Sequence, residues 1–221
     1  MCGRYFLFEL QAFVDAATKL APPPVFEPSY NIAPSHHIPI FPNTEDRAGI
    51  LAKWGLVPFW SKEPKVKYPT INARSETAHE KPSYRESLKK RRCLVPASGF
   101  YEWMKVDSGK QPYAIQMESR EPFAFAGLWE VWHRGQEDEL VTCTIMTTQP
   151  NPLVSRIHNR MPVVIHPDNY DEWLDPAEKT NDQLKHLFAS FPAEEMMAYP
   201  VTRDVGSPAN NHPGLIEPIQ L

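Results

Sequence analysis

Cysteine is scarce in this sequence, which has only Cys2, Cys93 and Cys143 among its 221 residues. The count is odd, and no two of them have the short paired spacing of a zinc site or of a disulfide framework. Cys93 and Cys143 lie within apolar runs, so we expect both to be buried as small hydrophobic side chains. The sequence therefore predicts neither a metal centre nor a disulfide-stabilised fold.

Glycine, positive charge and long apolar runs are also in short supply. Nine glycines stand against 24 prolines, which favours strand ends, extended segments and rigid turns over long helices. The formal net charge is −4, so any contact with DNA must come from a local basic patch. No apolar stretch is long enough to span a membrane, and there is no charged-then-apolar leader. We expect a cytoplasmic protein without a membrane partner.

The residues that are present support a substantial core. Hydrophobic residues make up 42% of the chain and aromatic residues 11%, which suits one domain over residues 1–221. Short apolar or alternating runs predict strands at 37–41, 50–54, 93–95, 100–106, 113–117, 123–131, 140–147, 161–165 and 196–201. Helices are predicted at 6–20, 84–92, 169–174 and 180–188, the last opened by a capping box. We expect an α+β fold with mainly antiparallel, strongly bent, barrel-like sheets and a few peripheral helices.

The second residue has unusual chemical potential. If Met1 is removed, as a small second residue generally permits, Cys2 presents an α-amine and a thiol on adjacent carbons. The reference pKa of an α-amine is about 7.7–8.0, so part of it is uncharged and nucleophilic near neutral pH. Such a pair can trap an aldehyde first as an imine and then as a five-membered thiazolidine. An internal cysteine cannot do this.

Four short segments connect Cys2 to a known family. They are residues 1–4 (MCGR), 69–76 (PTINARSE), 98–103 (SGFYEW) and 156–162 (RIHNRMP). Residues 30–34, 54–60, 201–205 and 215–218 match as well, in the same order through the whole chain. This ordered set resembles the SRAP family, the SOS-response-associated peptidases understood as abasic-site processing proteins.

The resemblance implies covalent capture of abasic sites in single-stranded DNA, which would be the partner of an expected monomer with no cofactor. The amine of Cys2 would add to the open aldehyde of the abasic sugar, and the thiol would close a thiazolidine that shields the lesion. The family's peptidase label implies removal of the residue before the cysteine. After DNA binding we expect association with the nucleoid.

Two matched residues would handle protons in this chemistry. Glu102 lies between Tyr101 and Trp103, and a carboxyl held against aromatic surface tends to have a raised pKa. His158 titrates near neutrality and would protonate the sugar ring oxygen or assist imine formation. The family commonly has an aspartate where Asn159 stands, so in this chain the residue next to His158 offers no carboxylate to orient the ring. The alternative interpretation is that Glu102 is a solvent-facing residue of a strand and that His158 is a surface histidine.

A third matched residue and three arginines would position the substrate. Asn72 would hold the Cys2 amine in attack geometry, although a strand-end asparagine is the alternative. An arginine stands two residues after each of three proposed site residues, a spacing that places side chains on one face of a strand. We predict that these arginines bind the phosphates flanking the lesion: Arg4 after Cys2, Arg74 after Asn72 and Arg160 after His158.

Aromatic and apolar side chains would contact the bases. Trp60, Trp103 and Phe59 are candidates for stacking on bases. Core packing is the alternative for all three and is the favoured interpretation for Phe59. Asn31 and Pro34 match a family segment that lines the site, and Pro34 would offer an apolar edge to a base.

Two other function classes remain open at this point. Cys2 could serve a cysteine peptidase or N-terminal-nucleophile hydrolase together with His158 or Glu102. Alternatively, the chain could be a non-covalent reader of single-stranded or modified DNA in which Cys2 is incidental. A metal enzyme is disfavoured because the spacing of these residues does not support it.

Overall fold

A computed structural model describes residues 2–17, 20–23, 25–64, 69–107 and 109–221, which form short helices around two sheets. The strands are β1 (Tyr5–Leu7), β2 (Ser29–Ile32), β3 (His37–Pro42), β4 (Ile50–Trp54), β5 (Asn72–Arg74), β6 (Arg92–Ala97), β7 (Gly99–Val106), β8 (Gly109–Met117), β9 (Phe123–Trp132), β10 (Leu140–Thr148), β11 (Met161–Pro162), β12 (Val164–Ile165) and β13 (Met196–Pro200). The α-helices are α1 (Leu10–Ala16), α2 (Arg85–Lys90), α3 (Tyr170–Trp173) and α4 (Asn181–Leu184). Single turns of 3-10 helix lie at Val154–Arg156, Pro167–Asn169, Lys185–Phe188, Ala193–Glu195, Arg203–Gly206 and Pro213–Ile216.

Five strands of the larger sheet close into a barrel. β10, β4, β3, β6 and β9 are successive neighbours, and β9 pairs again with β10 to complete the ring. Closure leaves these strands without the unpaired edges that open sheets expose. Cys93 of β6 faces Gly127 of β9, where an added Cβ would lie 2.6 Å from the cysteine sulfur, so glycine permits this close approach. The predicted α+β fold with a barrel-like sheet is confirmed.

The smaller sheet has the order β13-β8-β7-β1-β2 and is antiparallel throughout. Its inner face packs on the barrel. The ring of Tyr5 makes edge contacts with the rings of Trp54 and Phe125, at centroid distances of 5.5 and 5.9 Å. The hydrophobic cluster between the sheets also contains Cys2, so the N-terminal residues belong to the core of the molecule.

The predicted N-terminal helix at 6–20 is wrong in its first part. Tyr5–Leu7 form the strand β1, and α1 begins only at Leu10; residues 18 and 19 lie outside the described part of the chain. β1 lies between β2 and β7 and all three of its residues are buried. A strand buried on both faces has consecutive apolar residues, and such a run resembles the start of a helical pattern.

Most other predicted elements are confirmed with small shifts at their ends. The predicted strand at 161–165 divides into β11, which pairs with β10, and β12, which pairs with β9. β2 and β5 were not among the predicted strands. The capping box of Thr180 and Gln183 is present, and Cys93 and Cys143 are buried free cysteines. None of the described helices has the length and apolarity needed to cross a bilayer.

Candidate active site

The pairing of β1 with β7 brings Cys2 towards Glu102. Tyr5 is opposite Phe100 in this antiparallel pair, and the backbone N–H of Tyr101 donates to the carbonyl of Arg4 at 3.0 Å. When this register is continued by two residues beyond the pair of Arg4 and Tyr101, Cys2 lies beside the segment around Glu102. The Cys2 side chain is fully buried. Burial raises the pKa of its thiol well above the ordinary range, and the negative charge of Glu102 raises it further.

Glu102 is a buried carboxyl with a near-neutral pKa. Only 3% of the residue is exposed. Burial disfavours the charged form and raises the pKa of Glu102 to about 7. Near neutral pH the group is therefore present in both its acid and its base form, which suits it to deliver and accept protons.

His158 lies next to Glu102 and is held by its own loop. Its Nδ1 atom is 3.9 Å from Oε1 of Glu102. The same Nδ1 lies 3.2 Å from the backbone nitrogen of Arg160 and 3.3 Å from its carbonyl oxygen, so the Arg160 main chain contacts the ring as donor or as acceptor according to the tautomer. Partial burial lowers the pKa of His158. Asn159 is exposed. The His158 ring is therefore held by the main chain of Arg160 and not by the side chain of residue 159.

Asn72 begins β5, which runs parallel to β10 opposite Ile145. Its Nδ2 donates to the Ile145 carbonyl at 3.4 Å, and the Tyr84 hydroxyl donates to the Asn72 carbonyl at 3.2 Å. Its Oδ1 is buried and accepts no hydrogen bond from the described residues. Ile71 and Ile145 pack in the same cluster as Cys2. The Asn72 side chain therefore lies beside the hydrophobic cluster that contains Cys2, and its Oδ1 can still accept a hydrogen bond.

Two residues predicted to contact DNA bind the C-terminal part of the chain. Nη1 of Arg4 donates to Oδ1 of Asn31 and to the Val205 carbonyl, both at 2.8 Å. Nδ2 of the buried Asn31 donates to the carbonyls of Ser207 and Asn210 at 2.9 and 2.8 Å. Both side chains thus connect the N-terminal strands to residues 205–210, and a contact with phosphate stays a prediction for Arg4.

The other two arginines differ sharply in exposure. Arg160 is buried, and its guanidinium donates to both carboxylate oxygens of Glu76, at 2.5 and 2.9 Å, and to the Thr147 carbonyl at 2.7 Å. Arg74 is exposed at the end of β5. Asn72 and Arg74 alternate with the buried Ala73 as the predicted strand spacing requires. Arg160 follows His158 in a loop, where that spacing rule does not apply.

Glu76 was not among the predicted site residues. Its place in the matched segment 69–76, which also contains Asn72 and Arg74, is the signal that could have suggested it. Arg160 hydrogen-bonds to its carboxylate and lowers the pKa of Glu76, so this residue stays anionic at neutral pH.

The predicted base-contacting residues are distributed between surface and core. Trp60 is 55% exposed, whereas Trp103 is half-buried against the cluster of Phe6 and Tyr101. Pro34 is half-buried at the start of the turn after β2. Phe59 is 53% exposed, so its interpretation as a core residue is wrong: the chain turns outward after Pro58 and presents both aromatic side chains of the turn to solvent.

The described residues form no candidate metal site, and the two surface pockets given below are not lined by Cys2, Glu102 or His158. Across the described ranges, no three His, Cys, Asp or Glu side chains are grouped so that they could hold a metal ion. Surface pockets of about 450 and 490 Å³ are lined by other residues, among them Phe123 and Phe191 in the first and Lys90 and Arg134 in the second.

Comparison with known proteins agrees over nearly the whole chain. The family model described as SOS response associated peptidase (SRAP) matches residues 1–208. The chain is 44% identical to the "Abasic site processing protein YoqW" of Bacillus subtilis, covering 98% of this chain and 99% of that protein. It is 34% identical to the "Abasic site processing protein HMCES" of Gallus gallus, covering 89% and 68%. A crystal structure of a protein from Bacteroides thetaiotaomicron, 29% identical, superposes with a TM-score of 0.80 and covers 89% of this chain and 88% of that one.

Proposed function

Because the chain belongs to the SOS response associated peptidase family, we propose that it captures abasic sites in single-stranded DNA as a covalent thiazolidine on Cys2. The names of the relatives, abasic site processing proteins, support the substrate class. The observation that carries the proposal is the buried Cys2 beside a carboxyl with a pKa of about 7, with His158 at 3.9 Å from that carboxyl. Removal of Met1, which frees the amine, is part of the proposal and corresponds to the family's peptidase label.

The proposed reaction needs no oxidant, reductant or metal. The free amine of Cys2 attacks the open-chain aldehyde, so a C–N bond forms and the carbinolamine oxygen takes up a proton. Glu102 in its acid form protonates that hydroxyl, the C–O bond breaks and one water leaves to give an iminium ion, whose N–H proton returns to the Glu102 carboxylate as the neutral imine forms. The thiol then adds to the imine carbon: a C–S bond forms and the thiol proton passes to nitrogen. The net change is condensation with loss of one water, completed within a single turnover.

The electrostatics of the site favour attack by the amine before the sulfur. Burial and Glu102 hold the pKa of the Cys2 thiol well above neutrality, so the thiolate is scarce at pH 7. A cysteine peptidase that opens its reaction with a thiolate would need the opposite shift. An amine that attacks first and a thiol that closes the ring afterwards is compatible with a neutral, buried sulfur.

Binding of the strand would depend on few contacts. The net charge is −4, and two of the predicted arginines are already bound to protein groups. Arg74, exposed two residues after Asn72, is the favoured phosphate ligand. Trp60, more than half exposed, is the favoured stacking partner for a base. A monomer acting on single strands is sufficient for this arrangement.

Intact-mass measurement after mixing with an abasic single-stranded oligonucleotide tests the proposal. The expected product is the protein without Met1 plus the oligonucleotide minus one water, stable without borohydride, with the modification on residue 2 after digestion. Modification of an internal residue, or cleaved DNA with no protein adduct, would overturn it. Binding without any mass change would instead favour the non-covalent reader.

A further inference from the structure

Arg160 joins the segment that follows β5, the strand that begins at Asn72, to the loop that carries His158. Its guanidinium holds the carboxylate of Glu76, just beyond the strand that begins at Asn72, by two hydrogen bonds. Its backbone nitrogen lies 3.2 Å from Nδ1 of His158. The side chain is 9% exposed, and its bond to the Thr147 carbonyl anchors it to β10. A single residue therefore connects a proposed proton-handling group to the strand of a proposed positioning group.

The anionic partner of Arg160 is itself fixed. Glu76 also accepts a hydrogen bond from Nε2 of Gln149 at 3.2 Å. The carboxylate engages both terminal nitrogens of Arg160, the bidentate geometry that gives arginine–carboxylate pairs their directional strength. The Glu76 side chain is 42% exposed, so this end of the pair is accessible to small solutes while the arginine end is not.

We propose that Glu76 is a positioning residue: its carboxylate fixes the Arg160 guanidinium, and Arg160 in turn fixes the His158 ring beside Glu102. The inference rests on the proposed function, because the placement of His158 has a chemical consequence only if it handles protons. His158 follows a single turn of 3-10 helix and precedes the two-residue strand β11. The backbone N–H of His158 donates to the Val154 carbonyl at 2.8 Å, which fixes the main chain but not the imidazole ring, so the contact of the ring with Arg160 matters.

Loss of this anchor should affect the reaction more than binding. A displacement of about 1 Å at a reacting group can cost about 10²-fold in rate. Glu76 is anionic and half-exposed, so it does not itself attract a phosphate. If Arg160 were a DNA ligand that Glu76 restrains, removing the carboxylate would instead release the guanidinium and tighten DNA binding. The two roles therefore predict different results for the same variant.

Two measurements on the Met1-processed protein separate these roles. The first is the single-turnover rate of adduct formation with saturating abasic single-stranded DNA. The second is the affinity for the same oligonucleotide carrying a tetrahydrofuran site, which has no aldehyde and cannot react. For Glu76→Gln we expect a rate lower by about 10- to 100-fold and an affinity within about twofold of wild type. Glu80→Gln makes the same charge change at an exposed side chain four residues away and should alter neither quantity.

Chemical rescue distinguishes positioning from a general loss of structure. Glu76→Ala should lose more rate than Glu76→Gln, and added acetate should restore part of it because the carboxylate site is open to solvent. If Glu76→Ala does not fold, Glu76→Gln carries the test, with its folding checked by thermal unfolding. A wild-type rate in folded Glu76→Gln, tighter binding of the tetrahydrofuran oligonucleotide, or absence of acetate rescue in folded Glu76→Ala overturns the inference. Failure of the wild-type protein to form any adduct overturns the proposed function instead.

Discussion

Nδ1 of His158 and Oε1 of Glu102 lie 3.9 Å apart, although the two residues are 56 positions apart in sequence. Burial disfavours the charged form of each group: it raises the pKa of Glu102 to about 7 and lowers the pKa of His158. Glu102 can therefore exchange a proton with a substrate near neutral pH, beside a histidine ring whose neutral form burial favours.

Glu102→Gln keeps the shape of the side chain but removes its ability to shuttle a proton. We expect adduct formation to slow by about 10²–10⁴-fold, the range for positioned acid–base catalysis. The wild-type rate should show an inflection near pH 7 that the variant lacks. The measurement is the pH profile of the cross-linking rate, with folding followed separately; a wild-type rate in the folded variant would remove Glu102 from the mechanism.

The same substitution should change how stability depends on pH. The pKa of Glu102 is raised in the folded protein, so its contribution to stability is complete below the unfolded pKa and is lost as pH rises through about 7. Wild type should therefore lose stability relative to Glu102→Gln between about pH 4.5 and 7, by at most about 3 kcal/mol. Urea unfolding of both proteins at several pH values measures this difference, and parallel stability curves would contradict the assignment.

Cys2→Ala keeps an α-amine after Met1 removal but has no thiol. It should form an imine that borohydride can trap and no adduct that survives denaturation without reduction. Insertion of a glycine between Met1 and Cys2 should abolish the thiazolidine, because amine and thiol would no longer share one residue. Cys143→Ala, a change at another buried cysteine, is the matched control. Normal cross-linking by the insertion variant would identify an internal nucleophile.

Arg74→Ala tests the exposed arginine as a phosphate ligand. The variant should bind single-stranded DNA more weakly, and the slope of log K against log salt should shrink by about 0.7. Arg85→Ala removes the same charge from an exposed position in α2 and should leave the slope unchanged. Equal slopes for wild type and Arg74→Ala would make Arg74 a structural residue.

Asn31→Ala tests the connection between β2 and the C-terminal segment. The variant leaves the carbonyls of Ser207 and Asn210 without their Asn31 donor and removes an acceptor of Arg4. We expect a loss of about 1–3 kcal/mol in the free energy of unfolding and faster proteolysis near residues 205–210. Asn159→Ala, at an exposed asparagine, is the control for denaturant unfolding, and equal midpoints for the two variants would show that the Asn31 contacts contribute little.

The sequence alone determined the features that depend on neighbouring residues. Alternating apolar runs predicted most strands of the barrel, and Thr180 with Gln183 predicted a helix start that the structure contains. The aminothiol chemistry that we propose for Cys2 follows from its place after Met1, and it stays a prediction. Glu102 could be predicted to have a raised pKa because it stands between two aromatic residues in an apolar strand. These signals are local, and local spacing is what a sequence displays directly.

Tertiary structure decided which side chains are available and which are already bound. Arg4, Arg74 and Arg160 each stand two residues after a proposed site residue, and this shared spacing suggested equivalent roles for them. In the structure Arg4 binds the Val205 carbonyl and Arg160 binds Glu76, whereas Arg74 is exposed. Their acceptors come from residues 84 and 201 positions away. β1 was mistaken for helix for a related reason, since its two strand neighbours come from distant parts of the chain. A buried guanidinium or strand must satisfy its hydrogen bonds with whatever groups folding brings beside it, and no local pattern specifies those groups.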